Sequence, residues 1–224
     1  MNLPSPALRL GLCGALAALV AACSVLLPAR TPDVYQLPML RHLDDTSPVS
    51  TPAGDAPITS AVGTPAPAPM LLRIRAAATG AALAGNRIIV MPTPDTIEAY
   101  RGARWSDPAP TMVRARLVEA FANDDRFIAV ADDDSTLRAT LELDAQLRAF
   151  QTEYREGKPV VHVGLDLRLV DPSTHRVIAT HRFDIEAVPA ASDVGSIVRS
   201  FGYATDALST RLAGWVACIA THCR

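Results

Sequence analysis

The stretch that decides the fold is Leu137-Arg-Ala-Thr-Leu-Glu-Leu-Asp-Ala-Gln-Leu-Arg-Ala149, in which apolar and polar residues alternate without interruption. A period of two is typical of a β-strand with one face buried and the other in water. The same alternation returns at residues 161–169 and 177–187, and turn-forming residues at 156–159 and 171–174 separate the runs. The sequence therefore predicts an antiparallel meander with one solvated face.

Two amphipathic segments are predicted to cover the other face. Asp107 and Pro108 indicate a helix start, with Asp107 as the cap and Pro108 in the first helical position, and apolar residues recur up to Phe121. Apolar residues spaced by three and four from Val194 to Ile219 predict a long second helix. Shorter strands are expected at 34–37, 71–76, 87–91 and 96–100. The predicted fold class is α+β, an antiparallel sheet with a long-stranded meander, covered on one face by two helices.

The first 23 residues resemble the export signal of a bacterial lipoprotein. Arg9 is the only charge before an apolar run from Leu10 to Ala22, as in secretory signals. The run ends in Val20-Ala21-Ala22-Cys23, which resembles a lipobox, so we expect cleavage after Ala22 and lipid attachment to Cys23. A plain signal peptide and a membrane-spanning anchor are the alternatives, because residues 10–27 are uncharged over about the shortest length that spans a bilayer.

The four cysteines fit an exported protein. Cys13 is removed with the signal, and Cys23 is blocked by lipid, which leaves Cys218 and Cys223 in an oxidising compartment. Two cysteines five residues apart in a continuous helix are too distant for a disulfide, so pairing requires the helix to break near Ile219. Whether they pair is left open, and no metal site is expected because only His222 lies nearby.

Composition excludes some functions and reveals no enzyme. The formal net charge of −2 argues against a nucleic-acid partner. Phosphate-binding loops, nucleophile elbows and zinc motifs are missing from the sequence, so no catalytic residues or cofactors are expected. The run at 132–134 lacks the glycine and distal glutamate of a calcium loop and is interpreted as a solvated loop.

The charged residues on the predicted meander are interpreted as a solvated face. Glu142 and Asp144 lie on one side of the first strand, where arginines of the same parity (Arg138, Arg148, Arg168 and Arg182) can neutralise them. The turn after Asp171 places His162 opposite Ile185. His162 and His181 should then face opposite sides of the sheet, which disfavours a shared metal site.

The order of these features resembles the ABC-type transport auxiliary lipoproteins, the PqiC-like family. The resemblance rests on the lipobox, then residues 35–38 (Tyr-Gln-Leu-Pro), Tyr100 followed by residues 105–110 (Trp-Ser-Asp-Pro-Ala-Pro), and Phe127-Ile-Ala-Val130. The strand ending in Arg148-Ala-Phe150 and the Arg182-Phe183 pair complete it. It implies residues 1–22 as signal peptide, 23–32 as lipidated tether, and 33–224 as the auxiliary domain, with a proline-rich flexible insertion at about 41–69.

The resemblance implies a docking component, not an enzyme. Such a lipoprotein is anchored in the outer membrane on the periplasmic side, for which Ser24 after the lipidated cysteine also argues. Its partners are an MCE-domain protein, an ABC permease and its ATPase, which together move lipid and maintain the envelope; self-association is left open. We expect the partner contact on the solvated sheet face or near Tyr100 and Trp105, although Trp105 also fits a packing role at the helix start.

Two other classes remain open from the sequence. One is an envelope-assembly or secretion-accessory lipoprotein, a pilotin-like or TolB-like interaction module with no part in lipid transport. The other is a lipid-anchored hydrolase, for which the sequence offers no credible nucleophile.

Overall fold

The structure, a computed structural model, describes residues 31–39, 70–131 and 135–220. These residues form nine strands and two helices. In chain order the elements are β1 Asp33–Tyr35, β2 Met70–Ile74, β3 Ala78–Thr79, β4 Arg87–Met91, β5 Glu98–Trp105, α1 Ala109–Ala122, β6 Phe127–Ala131, β7 Leu141–Arg155, β8 Lys158–Asp171, β9 Arg176–Ala187 and α2 Val194–Ala220.

The alternating stretch forms β7, the longest strand, but with shifted ends. The strand begins at Leu141, four residues later than predicted, and continues to Arg155. Residues 137–140, the part of the alternating stretch before β7, have no partner in β8, because β8 ends at Asp171, beside the start of β7. Thr140 instead bonds to the Leu71 backbone, and Leu137 is exposed. Alternation alone therefore overextended the strand at its start.

A β-bulge at Arg148 reverses the alternation within β7. Leu147 pairs with Leu165 and Ala149 with Gly164, so Arg148 has no opposite residue. Leu147 faces the helices before the bulge, and Phe150 faces them after it. The prediction that Ala149 continues the core phase is wrong, because the extra residue turns its methyl group to the outer face beside Gly164.

The strands join in one mixed sheet built around β7. One edge of β7 pairs antiparallel with β8 along nearly its whole length, and β8 pairs antiparallel with β9, which confirms the predicted meander. The other edge is shared by three short parallel strands, β2, β3 and β4. The remaining strands extend the path to β1-β5-β4-β7-β2-β6. The α+β class is thus confirmed, with parallel pairs added on the second edge of β7.

Both helices pack on one face of the sheet, as predicted. An aromatic cluster joins the sheet to α2: the ring of Phe201 lies 5.2 Å from Trp105 and 4.6 Å from Phe150 between centroids. Asp193 caps α2 by accepting from the backbone N–H and hydroxyl of Ser196 at 2.9 and 2.6 Å.

The predicted start of α1 is off by one position. Asp107 provides no cap, and Pro108 is the extended residue just before the helix, with φ −55° and ψ 142°. Its carbonyl accepts from Thr111 and Met112 at 3.0 and 3.2 Å. The helix therefore starts at Ala109 without a side-chain cap, and Pro110 in its first turn has no N–H to satisfy.

The segment after β1 is held against both helices by Arg116. This buried guanidinium donates to the carbonyl oxygens of Leu37 and Pro38 at 3.3 and 2.8 Å and forms an ion pair with Asp206 of α2. Pro38 also packs on Gly202, where an added Cβ would lie 2.7 Å from the Pro38 carbonyl oxygen. A glycine is required at this crossing because nothing larger leaves room for the backbone of the segment.

Replacing Gly202 with alanine should therefore destabilise the fold. We expect Gly202→Ala to lower the free energy of unfolding by about 1–2 kcal/mol, because the clash with Pro38 outweighs the gain in helix propensity. Gly214→Ala in the same helix is the control: no atom lies within 4 Å of its added Cβ, so it should be stabilising. Urea unfolding of both variants tests this, and equal effects would contradict the close contact.

Candidate functional site: the charged face of the sheet

The sheet face turned away from the helices carries a network of ion pairs across β7, β8 and β9. Its first cluster gathers around Glu142 and Asp144, where Arg75 approaches the two carboxylates at 3.2 and 3.5 Å and Arg168 approaches Asp144 at 3.9 Å. Neutralisation by Arg168 follows the parity prediction. Arg75 was missed because the pairing of β2 with β7 was not predicted, and Arg138 lies outside β7.

The second cluster connects three strands. Arg148, raised out of β7 by the bulge, bonds to Asp166 on β8 and Asp184 on β9, both at 2.7 Å. Arg182 on β9 donates to both oxygens of Asp166, at 2.8 and 3.1 Å. The bidentate geometry fixes the orientation of the Arg182 guanidinium. The two arginines therefore neutralise Asp166 and Asp184, not Glu142 and Asp144.

Gly164 makes the contact between Arg148 and Asp184 possible. It lies on β8 between their strands, and an added Cβ would lie 3.0 Å from Asp184 Oδ1 and 3.3 Å from Arg148 Nη2. A side chain at this position would separate the two groups. Because Gly164 has no side chain, Arg148 of β7 and Asp184 of β9 can form an ion pair directly over β8.

His162 links this cluster to the far end of the face. Its Nδ1 lies 2.8 Å from Glu153 Oε1, and its Nε2 lies 3.0 Å from Asp184 Oδ1. Arg155 completes the chain of charges by bonding to both Glu153 and Glu186. Parity could not assign Glu153 and Arg155 to this face, because the bulge at Arg148 reverses the phase of β7 before them.

Partial burial and hydrogen bonding act in opposite directions on these carboxyls. Burial raises the pKa of Glu153 and Asp184, but the bonds from His162, with those from Arg155 to Glu153 and from Arg148 to Asp184, outweigh it. The pKa of each therefore ends below its ordinary value. Both groups are held in the charged form.

The predicted pairing of His162 with Ile185 is wrong by one residue. His162 lies opposite Glu186, because a register shift between Leu169 and Val170 offsets the strands beyond the turn. The prediction that the two histidines face opposite sides is confirmed: His181 packs on the helix side, with ring centroids 4.4 Å from Phe183 and 5.5 Å from Trp215.

Of the two predicted contact residues, only Tyr100 retains accessible surface. Trp105 is fully buried among the rings of Phe150 and Phe201, so its packing role is shown and a partner contact through this side chain is wrong. Tyr100 is half-buried and lines a shallow groove with Tyr154 and Arg101. Burial raises the pKa of the Tyr100 hydroxyl, so it stays protonated.

Other predicted features lie outside the described residues: Cys23, the tether before residue 31, the insertion at 41–69, the acidic run at 132–134 and Cys223. Cys218 lies half-buried on α2. The pairing of Cys218 with Cys223 and the lipid on Cys23 therefore stay predictions.

A second concavity, of about 660 Å³, lies between α1 and α2. Its hydroxyl groups are engaged with helix backbone: Ser209 donates to the Thr205 carbonyl at 2.8 Å and Thr210 to the Asp206 carbonyl at 3.0 Å. No histidine lines it within the described residues, so it offers no paired nucleophile and base. Among the residues that the structure describes, no three His, Cys, Asp or Glu side chains gather to hold a metal ion.

The geometry defines a class of protein first: a two-layer α+β domain with a charged outer face. Solved structures share this fold. Protein XCC0632 from Xanthomonas campestris has a TM-score of 0.69 and 22% identity, with 85% of this chain and 97% of that one covered. Hypothetical protein CT253 from Chlamydia trachomatis has a TM-score of 0.50 and 9% identity, with 68% and 98% covered. At these identities the likeness concerns the fold alone.

The family is shown by sequence. The model for the ABC-type transport auxiliary lipoprotein component matches residues 55–213, more than half of the chain, so the chain belongs to this family. A curated relative, uncharacterized protein bll6063 from Bradyrhizobium diazoefficiens, is 26% identical over 135 residues, which are 60% of this chain and 36% of the relative. The chain thus spans about a third of that relative's length. In the described part of the chain, neither helix is long and apolar enough to cross a membrane.

The network predicts a specific dependence of stability on pH. Because the pKa of Glu153 is lower in the folded than in the unfolded chain, its stabilising contribution is present above about pH 4.5, the ordinary value. The contribution is lost as the pH falls through the folded value. We expect Glu153→Gln to lower the free energy of unfolding by about 1 kcal/mol at neutral pH, with the difference from wild type shrinking as the pH is lowered below the ordinary value.

Urea unfolding at neutral pH and at a series of acidic pH values measures this effect. Glu98→Gln is the matched control, since Glu98 is an exposed carboxylate with no ion pair among the described residues. A Glu153→Gln deficit that persisted unchanged at low pH would show that the hydrogen bonds of Glu153 do not depend on its charge.

Proposed function

We propose that this chain is an outer-membrane lipoprotein that serves as the docking component of an MCE-type ABC lipid transport system. The observation that carries the proposal is the family match over residues 55–213, which assigns an auxiliary role beside an ABC transporter. The lipobox ending at Cys23 supports the anchor, and Ser24 after it supports retention in the outer membrane. The lipid then holds the domain at the periplasmic face, where an MCE-domain protein reaches it.

The charged face suits a docking role better than a catalytic one. It extends over three long neighbouring strands, and ion pairs hold most of its charged side chains. Rigid side chains lose little conformational entropy when a partner binds. The permease and ATPase would be reached through the MCE-domain protein, and Tyr100 is the residue outside the face that we retain as a contact.

Removing the lipidated thiol tests the anchor. We expect Cys23→Ala to accumulate as an unprocessed precursor that leaves the outer-membrane fraction, because cleavage requires the lipidated cysteine. Electrophoretic mobility measures processing, metabolic labelling with palmitate measures lipidation, and membrane fractionation measures location. Cys13→Ala is the matched control and should be processed normally. Normal processing and outer-membrane location of Cys23→Ala would contradict the lipoprotein assignment.

Affinity copurification from detergent-solubilised envelopes of the native host tests the partner. We expect the wild-type chain to recover an MCE-domain protein with its permease and ATPase, identified by mass spectrometry. Cys23→Ala should recover less of them, because it is not delivered to the outer membrane. Recovery of a secretion or outer-membrane assembly complex without any MCE protein would favour the envelope-assembly alternative.

A further inference from the structure

Arginines are the most exposed charged groups at one part of the outer face, although the face carries more carboxylates than arginines. Arg168 and Arg182 are each 65% exposed and Arg75 is 55% exposed. The carboxylates they contact are more shielded: Asp166 is 32% exposed and Asp144 is 27% exposed. Around Arg168 and Arg182 the carboxylates are thus more shielded than the guanidinium groups, and a partner meets cationic groups first at this part of the face. The order is different at Arg148, which is 26% exposed beside Asp184 at 43%.

Two of these arginines have donors to spare. Arg168 only approaches Asp144, at 3.9 Å, and makes no hydrogen bond among the described residues. Arg182 uses Nε and Nη2 on Asp166, which leaves Nη1 for another acceptor. Both side chains border a depression of about 480 Å³ that is also lined by Gln146 and Thr180. The depression is therefore lined by unused guanidinium donors beside the carboxylates of Asp144 and Asp166.

The spacing of the two arginines matches an extended acidic segment. Arg168 pairs with Thr180, two residues before Arg182 on β9, so the arginines are diagonal neighbours, about 7–8 Å apart between Cα atoms. In an extended chain, side chains at positions i and i+2 project to the same side about 7 Å apart. Glutamates or aspartates in alternate positions would therefore meet Arg168 and Arg182 in register.

We propose that Arg168 and Arg182 form a docking site for an extended segment of a protein partner that carries carboxylates at alternate positions. The inference rests on the proposed function, in which this face receives the periplasmic partner. A protein surface suits the site better than an anionic membrane, because none of the large exposed apolar side chains lines the depression. Asp144 and Asp166 beneath the arginines would also repel a uniformly anionic surface but accept a patterned one.

A peptide titration tests the site without any knowledge of the partner. The full lipidated chain in detergent is titrated with acetyl-Thr-Glu-Thr-Glu-Thr-Glu-amide and with the same peptide carrying glutamine for glutamate. We expect binding of the glutamate peptide only, and a loss of affinity of at least about tenfold in Arg168→Glu/Arg182→Glu, since two attractive contacts become repulsive. Arg211→Glu, an exposed arginine on α2, is the control and should bind like wild type.

If charge reversal disturbs folding, the milder Arg168→Gln/Arg182→Gln variant replaces it in the test. This variant should show an intermediate loss of affinity for the glutamate peptide. Equal affinity of wild type and both double variants for the glutamate peptide, or no binding by wild type, would overturn the site. Arginine-dependent binding of glycerophosphoglycerol, a soluble lipid headgroup, without binding of the peptide would overturn it in favour of lipid.

The same variants in the copurification separate this inference from the proposed function. If wild type and Arg168→Glu/Arg182→Glu recover the MCE-domain protein equally, the docking site is wrong and the transport role stands. If wild type recovers no MCE-domain protein, the transport role fails, and the peptide titration still decides whether the site exists.

Discussion

The burial of one face of β7 beneath the helices is the constraint on which the rest of the structure depends. Leu143, Leu147 and Phe150 are almost completely buried, and each such side chain contributes about 1.5–3 kcal/mol relative to exposure. Because this face must lie under α2, its register with β8 is fixed, and the polar residues between Leu143 and Leu147 are forced to the opposite side. The charged face therefore follows from the core. The bulge at Arg148 moves that side chain out of the ladder and over Gly164, where it reaches two carboxylates at once.

The sequence predicted the features that follow from a periodic pattern of apolar residues. It did not predict the features that a single irregular residue determines. The alternation in β7 and β9 and the three-four spacing of α2 predicted the meander, its solvated face and the helical cover. A one-residue bulge leaves no mark in such a pattern, so the outward turn of Ala149 and the place of Glu153 on the charged face were not predictable. The parallel strands on the other edge of β7 were missed for another reason. Five residues such as those of β4 do not reveal which strand they pair with, because that depends on the edge that β7 leaves open.

Arg116 shows the same limit for a buried charge. On the helical pattern it is one more polar residue of α1, yet in the fold it is buried and bonded to Leu37, Pro38 and Asp206. The ion pair joins the two helices, and the two hydrogen bonds to the Leu37 and Pro38 carbonyls hold the segment after β1 against them. Gly202 has the matching role on α2, since only a glycine lets Pro38 approach this closely. No local pattern marks either residue, because each requirement comes from a segment far away in the chain.

The ion pairs of the outer face are difficult to explain by stability alone. An exposed pair contributes on the order of 1 kcal/mol or less, and apolar or hydroxyl side chains would serve an ordinary sheet surface as well. What the network does achieve is orientation: Asp166 fixes both Arg148 and Arg182, and His162 and Arg148 together fix Asp184. A fixed pattern of opposite charges discriminates between partners, because a wrong partner brings like charges together. This selectivity is what the proposed docking function would require, and it needs neither a deep cavity nor a reactive side chain.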